Sequence, residues 1–90
     1  MTQSRGRASG LIDRARLRWL CRRGMKELDE LLLRFLEREL DDRPAAEQAT
    51  FARLLECEDP ELYALICGRI QAEDPVKADV LARIRRAADA

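Results

Sequence analysis

The sequence predicts an all-α protein, a compact five-helix bundle, on three observations. Leu, Ala, Arg and Glu dominate its 90 residues while β-branched residues are scarce, which is the propensity signature of helices and leaves no strand candidate. Apolar residues recur three and four positions apart along most of the chain. The three prolines, with Gly24 and Gly68, fall between those periodic segments, where helices start and stop. A content of 47% hydrophobic residues argues against disorder even beside 38% charged ones. At this length there is surface for one core, so residues 9–90 read as a single helical domain.

Residues 1–8 carry Arg5, Arg7 and Ser4 without an acid. That bias is shared with organelle transit peptides, but helical periodicity already begins at Leu11, so the segment reads as a frayed basic arm. Ser9 can cap a first helix in which Leu11, Ala15 and Trp19 follow at i, i+4 and i+8, flanked by Ile12 and Leu20. Its run ends near Arg22 or Arg23, and Gly24 breaks it.

The second helix has the clearest pattern: Met25, Leu28, Leu31, Leu32, Phe35, Leu36 and Leu40 form one apolar stripe. Asp41-Asp42-Arg43-Pro44 ends it, with Pro44 placed as the first residue of a third helix whose inner face is Phe51, Leu54 and Leu55. Asp59-Pro60-Glu61 opens a short fourth helix with Leu62, Leu65 and Ile66 inside and Gly68 at its end. Asp74-Pro75 repeats the device for a fifth helix, with Ala78, Leu81, Ile84 and Ala88 inward. Connections of a few residues suit a bundle.

A formal net charge of zero hides a dipolar chain. Residues 1–26 carry eight basic groups and one acidic, whereas residues 27–42 carry two basic and seven acidic. The series Arg14, Arg16, Arg18 and Arg22 admits a nucleic-acid footprint, but the pI near 6.3 and the single Trp argue against one. The acids Glu37, Glu39, Asp41 and Asp42 read as a solvated helix end or a partner contact.

Several function classes fall away. Without histidine, this chain can supply no His metal ligand, no His general base and no histidyl cofactor link. Cys21, Cys57 and Cys67 are odd in number and lack C-x-x-C spacing, so they suggest neither a disulfide framework nor a zinc knuckle. They are expected reduced, with Cys21 and Cys57 packing as small apolar residues, and since no hydrophobic leader is recognised, secretion is disfavoured and a reducing, cytoplasmic location is expected. The longest apolar run, Leu62 to Cys67, is far below the roughly 20 residues that span a bilayer, so no membrane insertion is expected.

Charge, a glycine and a helix junction coincide only at Arg22-Arg23-Gly24-Met25-Lys26-Glu27. Were Gly24 the N-cap of the second helix, Glu27 would fall at its third position and could reach back to the cap amide. The alternative is that Gly24 leaves the backbone bare for a partner, with Arg23 and Glu27 framing it by opposite charges. Trp19 reads as a core or rim anchor of the first helix rather than a flavin stacker.

The string Trp19-Leu20-Cys21-Arg22-Arg23-Gly24-Met25-Lys26-Glu27-Leu28-Asp29, followed by Phe35 and then Leu54-Leu55-Glu56-Cys57-Glu58-Asp59-Pro60-Glu61-Leu62, closely resembles the SdhE family of FAD assembly factors. Its R-G-x-x-E motif lands on Arg23, Gly24 and Glu27, and its L-L-E-x-x-D-P-x-L block on Leu54 to Leu62. The resemblance covers roughly residues 9–68; family members often carry Trp where this chain has Leu65.

The resemblance implies a chaperone-like assembly factor that binds the flavoprotein subunit of succinate dehydrogenase or fumarate reductase and promotes covalent attachment of FAD to a histidine of that subunit. It further implies no turnover and binding before the iron–sulfur subunit arrives; a monomer with no stably bound cofactor is expected. Arg23, Gly24 and Glu27 would contact the partner, with Trp19, Arg22, Asp29, Glu56 and Asp59 as possible further contacts. The residues taken by themselves also admit a small helical module that binds another protein, such as a toxin-like partner, or nucleic acid through the basic N-terminal face.

Overall fold

Apolar stripes on short helices can be buried only against one another, and five helices do so here. The computed structural model describes residues 13–89. Helix α1 spans Arg14–Leu20, α2 Lys26–Arg38, α3 Ala45–Leu54, α4 Asp59–Cys67 and α5 Pro75–Asp89, with a 3-10 turn at Leu40–Asp42 between α2 and α3. Among the described residues there is no strand. The all-α fold agrees with the sequence.

The core is built on α2 and α5. Leu28, Leu32, Phe35 and Leu36 of α2 are buried, as are Val80, Leu81, Ile84 and Ala87 of α5, and the two helices pack along each other. Phe51 of α3 meets Phe35 with ring centroids 5.0 Å apart and a tilt of 41°. Leu54, Leu55, Leu62, Leu65 and Ile66 close the remaining sides as expected.

Five details depart from expectation. Helix α1 starts at Arg14 and is capped by Asp13, whose carboxylate accepts from the amides of Ala15 and Arg16. The expected cap Ser9, with Leu11 and Ile12, lies outside the described residues. Leu17, Leu20 and Cys21 face inward, while Ala15 and Trp19 face out, Trp19 with 70% of its surface exposed. Trp19 sits about 200° around the helix from Leu17, so burying Leu17 turns the indole to solvent. Trp19 is therefore not a core residue.

Met25 precedes the helical stripe it was expected to join and is 40% exposed. The stripe also ends earlier: α2 stops at Arg38, and a 3-10 turn delivers Leu40 to the core. In α5, Val80 and Ala87 complete the inward face and Ala78 is exposed, because a stripe through residues 80, 84 and 87 leaves position 78 on the far side. The side chain of Ala88 lies outside the described set.

The proline starts are correct to within one residue: Pro44 is the N-cap of α3, Glu58 caps α4 with Asp59 and Pro60 following, and Pro75 opens α5. Asp74 accepts from the amide of Lys77 at 2.9 Å. Gly68 ends α4 at φ +85°, the left-handed conformation of a helix-terminating glycine.

The opposed charge fields meet within the fold. Arg18 pairs with Glu37 at 2.8 Å, Arg14 pairs with Asp41, and Arg83 lies 3.9 Å from Glu39. The acids at the end of α2 thus neutralise two of the four arginines that formed the candidate nucleic-acid footprint. The Arg18–Glu37 pair, about half exposed on both sides, contributes about 0–1 kcal/mol.

Candidate functional site: the loop between α1 and α2

A five-residue loop, Cys21 to Met25, turns the chain from α1 into α2. Cys21 anchors its start: the side chain is fully buried, and burial pushes its thiol up to about 12 against the ordinary 9.0. Gly24 stands at the tip with φ +89°. A Cβ built there would meet nothing within 4 Å, so the glycine answers to backbone conformation and leaves the tip open.

Asp29 holds the loop's shape. Its two carboxylate oxygens accept from consecutive amides, Arg23 N at 2.7 Å and Gly24 N at 3.3 Å. The N-cap position belongs to Met25, which has no side chain to cap with. The expected capping box between Gly24 and Glu27 is therefore not formed. Glu27 stands at the second helical position, one residue short of the third, and Asp29, one turn into the helix, supplies the acceptor instead.

Arg23 turns inward, and only 11% of its side chain is exposed. Its Nε donates to Asp59 Oδ1 at 2.7 Å, Nη1 to the carbonyls of Leu20 at 3.1 Å and Leu55 at 2.7 Å, and Nη2 to the carbonyl of Cys57. The guanidinium fork thus ties the α1–α2 loop to the α3–α4 loop, more than thirty residues away. Arg23 was expected to be exposed and to frame Gly24 with Glu27; that geometry is corrected, because three carbonyls and a carboxylate draw the cation away from the loop tip.

Asp59 likewise points into this network instead of capping α4. Glu27 is exposed and takes a hydrogen bond from the hydroxyl of Tyr63 on α4. Tyr63 was not anticipated, although a single tyrosine beside the buried Leu62 was a signal, since a half-buried phenol needs a polar partner. The hydrogen bond to Glu27 first, then the neighbouring Cys67 thiol and some desolvation, push the phenol up to about 12.

The structure thus assembles Arg23, Gly24, Asp29 and Asp59 into one hydrogen-bonded unit and joins Glu27 to α4. Trp19, Arg22, Gly24, Met25, Lys26 and Glu27 are exposed at the same junction. Glu56 is exposed at the end of α3 and lines a cleft of about 310 Å³ with Asp13, Arg16, Leu20 and Leu55. Among the described residues no cluster of three or more Cys, Asp or Glu could hold a metal ion. No described helix is long and apolar enough to cross a membrane.

Fold and site define a small helical protein that presents a stiffened, open-tipped interhelical loop. The chain belongs to the family described as the flavinator of succinate dehydrogenase, whose model matches residues 15–88. It is 44% identical over 72 residues to the FAD assembly factor SdhE of Photobacterium profundum, covering 80% of this chain and 82% of the relative. It is 44% identical over 75 residues to that of Shewanella oneidensis (83% and 92%), and 46% identical over 63 residues to that of Colwellia psychrerythraea (70% and 69%). The matched span includes the whole loop and its braces on α2 and α4.

Proposed function

We propose that this protein is an assembly factor that binds the flavoprotein subunit of succinate dehydrogenase or fumarate reductase and promotes covalent attachment of FAD to a histidine of that subunit. The observation that carries the proposal is the Gly24 tip: open to solvent, braced from behind by Arg23 and Asp29, and flanked by the exposed Trp19, Met25 and Glu27. Membership of the flavinator family supplies the partner.

The histidine and the flavin belong to the partner, in keeping with a chain that has no histidine to offer. The factor acts in the cytoplasm as a monomer, without turnover and without holding FAD itself. Its contribution is conformational: preferring the linkage-competent flavoprotein by about 2.7 kcal/mol shifts that conformer roughly a hundredfold. Bracing serves this role, because a loop already ordered in the free protein loses less entropy on docking. Asp29 and Asp59 contribute through the brace, while Trp19, Arg22, Gly24 and Glu27 make the contact, with Glu56 at its margin.

The test is direct. Apo-flavoprotein incubated with FAD, with and without this protein, is denatured and scored for covalent flavin fluorescence, alongside co-purification of the two chains. Equal fluorescence in both samples, or failure to co-purify, would refute the proposal.

A further inference from the structure

We propose that Tyr63 is a positioning residue that holds Glu27 ready for the flavoprotein. The inference rests on the function proposed above and assigns a role to a residue outside the loop. Glu27 sits in the first turn of α2 and is exposed, and the loop's capping work is done by Asp29. Left to itself, an exposed glutamate samples many rotamers, and fixing it on binding costs side-chain entropy.

Tyr63 removes part of that freedom. Its ring is half-buried against the core on α4, and its hydroxyl reaches Glu27 across a sequence separation of 36. Cys67, one turn along α4, lies on the same groove. The two side chains line a groove of about 460 Å³ between α2 and α4, with Glu30 and Leu31 on one wall and Arg85 beyond Cys67. A neutral phenol donating to one carboxylate oxygen makes a charge-assisted bond that fixes the orientation of the whole carboxylate. Raised to about 12, the phenol stays protonated and a donor throughout the physiological range.

The chain contains one tyrosine, so its ionisation is read directly by ultraviolet absorbance. In the free wild-type protein Tyr63 should titrate near 12, and in Glu27→Gln its midpoint should fall toward the ordinary 10.0. An ordinary midpoint in the wild type, or one unmoved by Glu27→Gln, would show that the pair does not form and would overturn the inference without reference to any partner.

The second measurement is affinity for the apo-flavoprotein. Tyr63→Phe keeps the ring and deletes the hydroxyl; it should weaken binding by about fivefold in the wild type and have little effect when Glu27 is already Gln. Unchanged thermal unfolding of Tyr63→Phe accompanies this result. If wild type binds and Tyr63→Phe binds equally well, or if the two substitutions act additively, the positioning role is wrong while the proposed function stands. If wild type does not bind at all, the proposed function fails and takes the inference with it.

Discussion

Arg23 and Asp59 meet at 2.7 Å across a sequence separation of 36, and the same guanidinium donates to the carbonyls of Leu55 and Cys57. The arginine of the family motif is thus a clasp between two loops. A charge with 11% of its side chain exposed is stable there because each face of the fork has an acceptor.

Arg23→Ala should consequently be a folding mutation. It strands three carbonyls and leaves Asp59 unpaired, for an expected loss of about 2–4 kcal/mol in urea unfolding. Arg23→Lys should recover only part of it, since one ammonium cannot reach four acceptors in different directions. Support of flavinylation should fall in step with the folded fraction.

Gly24 behaves differently. Any Cβ there finds open space, so Gly24→Ala is expected to cost about 1–2 kcal/mol through the positive φ alone, with a folded product by circular dichroism. Gly24→Asp should lose flavinylation support well beyond that stability change, because it puts a charged side chain at the proposed partner contact.

Glu27→Ala should lower stability by less than about 1 kcal/mol, since the residue caps nothing, yet abolish flavinylation support. Asp29→Ala should cost about 1–2 kcal/mol, having released the amides of Arg23 and Gly24. Chemical unfolding of the two variants beside the fluorescence assay separates contact from brace.

Alkaline pH should expose the burial of Cys21. Its folded-state pKa is raised to about 12 against 9.0, so the unfolded chain releases its proton first. Stability from this group is fully present below pH 9 and is lost progressively as pH rises from about 9 toward 12. Urea midpoints measured over pH 8–11 should fall in the wild type and fall less steeply in Cys21→Ala, the raised pKa values of Cys57 and Tyr63 contributing equally to both. At neutral pH a thiol reagent should modify the exposed Cys67 well before Cys21.

Much of the fold was legible along the chain because its signals are local. Three-and-four spacing assigns Leu28, Leu32, Phe35 and Leu36 to one face, a proline pins each of three helix starts to within one residue, and Gly68 ends α4. The motif's place at a helix junction could be read in the same way, as could the identity of its residues. Which way those residues turn could not. Periodicity describes neighbours within one helix and says nothing about a carbonyl thirty-four residues away, so the burial of Arg23 by Leu55, Cys57 and Asp59 arises only when α3 and α4 pack beside the loop. Likewise Asp29 rather than Glu27 holds the loop, because Gly24 at φ +89° places two amides over the side chain one turn further on. The outward turn of Trp19 and the Tyr63–Glu27 pair follow from the same cause: helix rotation and cross-helix partners are set by the competition for one core, which only the assembled tertiary structure resolves.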